Sequence, residues 1–274
     1  MDDISYTAQW TAAARALESE RTDGLFRDAY AKSLAEPRGF ELLDRYRGAA
    51  VGDFIAVRTR YIDDALASVL RQTGIRQVVL LAGGMDARTH RLDWPDDAPT
   101  VYEVDHGPLL DEKQARLSAL GATPKVPTVA VRADLAGDWV AALKSAGFDP
   151  AERTLWIAEG LLFFLTEEQV GRLLDTVLGA CPPGSRLVVD MTSRTLLRHP
   201  LTQPFLRSLR EDGTPWQFGT DEPEAFLARH GWTVQDVKQP GEPGAGAGRW
   251  PYGVAPREVG GVPRNWLVSA VTAE

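Results

Sequence analysis

Residues 77–91 read QVVLLAGGMDARTHR, and residues 101–105 read VYEVD. The apolar run Val78–Leu81 has the form of a short strand and breaks at Ala82-Gly83-Gly84. About twenty residues on, a second short strand ends in the acids Glu103 and Asp105, the spacing at which a carboxylate meets the ribose hydroxyls of a nucleotide-type ligand. A Gly-Gly pair alone marks only a turn. The dinucleotide pattern G-x-G-x-x-G is missing, and Met85-Asp86-Ala87-Arg88 stands where a phosphate needs bare backbone N–H groups. A carboxylate there repels pyrophosphate. The turn is therefore expected to hold a nucleoside without phosphates. S-adenosylmethionine fits, with its ribose, adenine, sulfonium and amino-acid end.

Outward from this turn, strand and helix patterns alternate. Strands are expected at 77–82, 100–105, 127–132, 154–158, 185–191, 232–237 and 265–272. Helices are expected at 108–120, 137–146, 167–180, 193–212 and 222–230. Such alternation builds a mostly parallel sheet with helices on both faces and ligands beyond the carboxyl ends of its strands. Thr166-Glu167-Glu168-Gln169 is a capping box, in which hydroxyl and amide satisfy each other's backbone donors.

Residues 5–75 read as helices. Ala8, Trp10, Ala13, Ala16 and Leu17 share one face; Phe54, Val57, Tyr61, Ile62, Leu66 and Leu70 share another, with Pro37-Arg38-Gly39 as punctuation between them. The Gly/Pro-rich stretch 239–263 is either a solvated loop or a lid. The expected organisation is one domain over 1–274. It has a helical cap at 1–75, a cofactor-binding core at 76–192, a helical lid at 193–231, and final strands with the Gly/Pro-rich loop at 232–274.

Composition narrows the classes. A net charge of -8 over 274 residues argues against nucleic acid or an anionic membrane surface as partner. Cys181 is the single cysteine, so no intrachain disulfide can form, no cysteine-based metal site is expected, and a reducing cytoplasm is the default. The first twenty residues, MDDISYTAQWTAAARALESE, lack the apolar core of a signal peptide.

Several motifs in order resemble the leucine carboxyl methyltransferase family of class I S-adenosylmethionine-dependent methyltransferases, in particular its bacterial small-molecule branch. They are Thr7-Ala8 with Ala14-Arg15-Ala16 and Glu18, Asp28-Ala29-Tyr30-Ala31, Arg58-Thr59-Arg60, and Ile62-Asp63-Asp64. The glycine turn with Asp86, Arg88 and Arg91, then Tyr102-Glu103-Val104-Asp105, Ala133-Asp134-Leu135 and Ile157–Leu162 complete the set. The resemblance implies a seven-stranded Rossmann-like α/β sheet with an N-terminal helical extension and a lid, and S-adenosyl-L-methionine as cofactor.

It also implies roles for residues. Arg58 pairs with the methionine carboxylate of the cofactor as a bidentate guanidinium can, with Arg60 the less favoured alternative. Gly83 and Gly84 let backbone approach the ligand. Asp105 contacts the ribose, with Glu103 beside it on the same strand face; one of the two acids is left open as a salt-bridge partner of an arginine. Asp134 accepts from the adenine amino group while Leu135 packs on the ring; the other reading of Asp134 is a helix N-cap. Glu159 faces the ammonium or the reacting centre. Asp86 and Arg88 lie at or just behind the ligand and pair with each other. Two departures stand out: Ala82 replaces the usual first Gly, which a methyl tolerates at negative φ, and Phe164 replaces a frequent Tyr.

Methyl transfer is a direct displacement, in which alignment and exclusion of water supply most of the rate. A carboxylate acceptor is ionised at neutral pH and needs no base, whereas a phenol benefits from one. None of His90, His106, His199 and His230 pairs with an acid at a convincing spacing. No catalytic residue is assigned; Phe164, His199 and Trp216 are the substrate-side candidates. The expected activity is O-methylation of a hydrophobic or aromatic small-molecule acid, such as a polyketide or other secondary metabolite, to a methyl ester. The alternatives are a phenolic or hydroxyl O-methyltransferase, a cofactor-binding module without turnover, and a nicotinamide dehydrogenase. Monomer and homodimer both remain open.

Overall fold

The computed structural model describes residues 3–46 and 50–272. The edges of the expected cap at 1, 2 and 47–49, and of the last segment at 273 and 274, lie outside the described residues.

Seven strands form one sheet: β1 (Gln77–Leu81), β2 (Thr100–Asp105), β3 (Thr128–Arg132), β4 (Thr154–Ala158), β5 (Arg186–Thr192), β6 (Trp232–Lys238) and β7 (Asn265–Thr272). Each expected strand is present within a residue of its expected ends. The order is β3-β2-β1-β4-β5-β7-β6, with β7 antiparallel to both neighbours and the other pairs parallel. From β1 the chain winds outward through β2 to β3, then returns to place β4 on β1's other side. That reversal opens a crevice at the carboxyl ends of β1 and β4.

The alternating side chains of β1 explain why it is buried throughout. Val79 and Leu81 enter one apolar layer, and Val78 and Leu80 the other. The first layer packs under α6 (Trp139–Ser145), α7 (Glu167–Gly179) and α10 (Pro223–Arg229). The second packs against α3 (Val51–Thr73), whose Phe54, Val57, Tyr61, Ile62, Leu66 and Leu70 recur near the helical period. A third layer joins α1 (Asp3–Glu20) and α2 (Ala31–Arg45) to α5 (Gly107–Ala119) and α9 (Gln203–Glu211). A single turn, α4 (Arg88–Arg91), follows the glycine segment and is too short to carry a periodic signal.

One helical expectation needs correction. The stretch 193–212 is three pieces: α8 (Arg194–Arg198), a short 3-10 turn (Pro200–Thr202) and α9. Pro200 forces His199 out of the helical region, to ψ 135°, and has no N–H to continue the ladder. The break expected at Pro37 is present: Glu36 takes φ 53° and ψ 171°, so α2 is two helical pieces joined across a kink. The capping box forms as read: Thr166 Oγ1 accepts from Gln169 N at 3.2 Å and Gln169 Oε1 from Thr166 N at 2.8 Å.

Candidate functional site

A cavity of about 420 Å³ occupies the crevice. Its floor is the turn after β1 and the ends of β2, β3 and β4. The turn departs from expectation at one residue. Ala82 adopts φ +52°, and Gly84 φ +51°. The turn begins while the ladder still holds it, since Ala82 N donates to Val104 O at 2.9 Å. The methyl of Ala82 therefore bears left-handed strain of about 1 kcal/mol.

The two glycines differ in purpose. A Cβ on Gly84 would lie 2.9 Å from that of Ala8 on α1, so Gly84 admits the helix. A Cβ on Gly83 would touch only Leu80, at 3.6 Å, leaving its outer side to the cavity.

Asp105 and Glu103 also part. Asp105 lines the cavity; its Oδ2 accepts from Gly84 N and its Oδ1 from His106 N, both at 2.7 Å. These bonds lock the carboxylate against the turn and leave further acceptor lone pairs. Glu103 is buried, pairs with Lys113 Nζ at 2.9 Å and is not part of the lining. Asp134 and Leu135 both line the cavity. Asp134 Oδ1 accepts from Ala136 N at 2.8 Å, while the N-cap of α6 is Asp138. Asp134 thus shapes a turn and does not cap the helix.

Glu159 ends just past β4 with both oxygens engaged. Oε1 accepts from Arg58 Nε at 3.0 Å and Oε2 from Arg88 Nη2 at 2.8 Å. Burial alone would raise its carboxyl, but Arg88 and Arg58 hold it down to about 2. Arg58 also donates from Nη1 to Asp190 Oδ2 at 3.2 Å, and its Nη2 carries no protein partner among the described residues. Asp86 closes back on Arg88, accepting from its backbone N at 2.7 Å and from Nη1. Around this end of the cavity Asp28, Asp63, Asp86, Glu159 and Asp190 stand against Arg15, Arg58, Arg88 and Arg91. Five carboxylates on four guanidiniums leave one negative charge over, which suits a cationic ligand with a sulfonium and an ammonium.

Another part of the wall is aromatic. Trp10, Phe163 and Phe164 line the cavity. Trp216 is not in the lining; it stacks behind, its ring centroid 4.1 Å from that of Phe163, and Phe205 backs it at 5.2 Å. Gln217 ties the same segment to the turn through Phe163 O and Phe164 O. Residues 193–231 therefore brace this wall from outside. His199 stays away from the cavity: its Nδ1 accepts from Leu201 N at 3.3 Å. His106 is the one histidine of the lining among the described residues, and no hydrogen bond joins its ring to a carboxylate there. His230 does pair with Asp175, at 2.7 Å, but outside the lining. The stretch 239–263 packs on the helices instead, with Arg249 bonded to Glu18 and Asp53, each at 2.7 Å.

Residues of α1 enter the site unannounced by spacing. Thr7, Ala8, Trp10, Thr11 and Arg15 close the cavity from above. Arg15 bonds Asp28 at 3.0 Å and Met85 O at 2.5 Å, which clamps α1 to the glycine turn. The apolar face of α1 was a clue to burial, but its partner lies some seventy residues away in the chain.

The family model described as leucine carboxyl methyltransferase matches residues 8–178. A protein of Mycolicibacterium paratuberculosis assigned as an S-adenosyl-L-methionine-dependent methyltransferase is 39% identical over 269 residues, 85% of each chain. A protein of Mycobacterium marinum with the same assignment is 40% identical over 200 residues, which cover 68% of this chain and 66% of that one. Among solved structures, a DUF574 family protein from Streptomyces avermitilis has a TM-score of 0.68 at 17% identity, over 95% of this chain and 96% of that one. The last likeness is one of fold.

Proposed function

This chain belongs to the leucine carboxyl methyltransferase family, and from that premise we propose that it methylates an oxygen of a small hydrophobic or aromatic acid, giving a methyl ester. It is an S-adenosyl-L-methionine-dependent methyltransferase. When bound, the cofactor supplies an electrophilic methyl group on a sulfonium. The chain's own groups do the rest. In this reading Asp105 receives the ribose hydroxyls, Asp134 and Leu135 meet the adenine, and Glu159 with Arg58 receives the amino-acid end.

The observation that carries the carboxyl reading is the shortage of a base. Glu159, held near 2, stays ionised and is a poor proton acceptor. Asp86 is spent on Arg88. No tyrosine or histidine–acid pair lines the cavity among the described residues. An acceptor that arrives as an anion needs none of these, and the rings of Trp10, Phe163 and Phe164 suit a flat or apolar body while keeping water out.

One observation favours a second reading. The His106 ring lies on the cavity next to Asp105 and offers a base for a phenol. Incubation with candidate acids and phenols, followed by mild alkaline hydrolysis of the product, separates the two: an ester is cleaved, an aryl ether survives. An N- or C-methylated product would sink both. Calorimetric titration showing tight cofactor binding with no turnover on any acceptor would point to a binding module.

A further inference from the structure

Eight charged side chains alternate in sign from α1 to β5. Arg15 Nε meets Asp28 Oδ2 at 3.0 Å, and Arg91 Nε lies 3.7 Å from the same oxygen. Arg91 grips Asp63 from the other side, with Nη1 at 2.6 Å and Nη2 at 2.8 Å. Arg88 Nη2 stands 3.4 Å from Asp63 and 2.8 Å from Glu159. Arg58 then joins Glu159, at 3.0 Å, to Asp190, at 3.2 Å. Each of the last three guanidiniums sits between two carboxylates.

Only part of this ladder touches the cavity. Glu159, Arg58 and Arg88 line it, as do Arg15 and Arg91; Asp28, Asp63 and Asp190 do not. Asp190 has no solvent exposure at all, and its second oxygen accepts from Gly160 N at 2.6 Å. That bond holds the residue after Glu159 at φ +67°. Buried ion pairs are weak sources of stability, since apolar residues of similar volume commonly serve as well. What a buried carboxylate adds is direction: it fixes the fork of the guanidinium it holds.

We propose that Asp63 and Asp190 are positioning residues, which aim Arg88 and Arg58 at Glu159 from behind and so shape the pocket for the cofactor's amino-acid end. The proposal rests on the reading that places that end at Arg58 and Glu159. It makes the site a relay: the cavity-lining charges keep their geometry because charges out of reach of the ligand hold them.

The test uses two ligands that differ at that end. S-adenosylhomocysteine carries the amino acid, and 5′-methylthioadenosine lacks it. The intact protein is expected to bind the first about 100-fold more tightly, given charge-assisted hydrogen bonds at one end only. Asp190→Asn and Asp63→Asn are each expected to weaken S-adenosylhomocysteine about tenfold or more and to leave methylthioadenosine within about twofold. Melting curves establish that the variants fold. If the two ligands weaken together, or neither weakens, the positioning role is wrong. Failure of both variants to fold also overturns it, because the carboxylates are then structural. Equal affinities in the unaltered protein would instead overturn the underlying placement of the amino-acid end.

Discussion

Around Glu159, Arg58 and Arg88 each bridge two carboxylates; around Phe163 and Phe164, the partners are other rings. The first region is directional. A guanidinium satisfies a carboxylate only over a narrow range of distance and plane, so a change at one member is felt by the next. The second is held by packing, which depends on volume more than on angle. The buried indole N–H groups of Trp10 and Trp216 have no hydrogen-bond partner among the described residues. The contrast implies a site in which the cofactor end is unforgiving and the acceptor end is open to change.

Removing a charge from the first region should have the largest effect. Arg58→Met leaves Asp190 buried without a cation, which is expected to cost about 3–5 kcal/mol of stability and to abolish measurable cofactor binding. Chemical denaturation with calorimetric titration checks both; a variant as stable as its parent would mean that the charges relax independently.

Acid should act next. Glu159 is lowered from 4.5 to about 2. A carboxyl depressed on folding contributes its stability above the unfolded value and loses it as pH falls through the folded one. The charged region should therefore hold at pH 6 and weaken from about 4.5 towards 2, a depression worth about 3 kcal/mol. Asp63 and Asp190 are pushed up by burial, against their arginine partners. Their ionisation costs stability as pH rises, which offsets part of the effect. Melting temperatures between pH 6 and 3 should fall less steeply in Glu159→Gln than in the parent. Identical slopes would assign the acid sensitivity elsewhere.

The aromatic region should respond through the acceptor alone. Trp10→Leu is expected to raise the acceptor KM by about tenfold, the worth of one good ring contact, with cofactor affinity unchanged. Equal weakening of both ligands would merge the two regions into one.

The smallest effect belongs to the turn beneath both. Ala82→Gly relieves left-handed strain of about 1 kcal/mol but adds backbone freedom to the unfolded chain, for a net gain of about 0.5 kcal/mol. A loss on thermal melting would show that the methyl packs more usefully than its strain costs.

The fates of individual residues show what was legible. All seven strands could be read because apolar alternation and turn residues act within a few positions. The capping box could be read for the same reason. The helix at 193–212 was overextended because the apolar pattern continues across Pro200, whose constraint is local and was outvoted. Glu103 and Asp105 share a strand face and an acid group, and nothing along the chain separates them; Lys113 on α5 claims one, and the N–H of Gly84 the other.

The sequence by itself determined the order of strands and helices, the glycine turn, and the acids that follow β2, β3 and β4, because each depends on near neighbours or on fixed spacing from a strand end. The tertiary structure alone decided that α1 closes the cavity and that Ala82 is left-handed. It also decided that Asp63 and Asp190 stand behind the arginines, 25 residues from Arg88 and 132 from Arg58 along the chain. Charge pairing falls off over a few ångströms of space and takes no account of separation in sequence, so it comes into being only when the sheet brings those distant segments together.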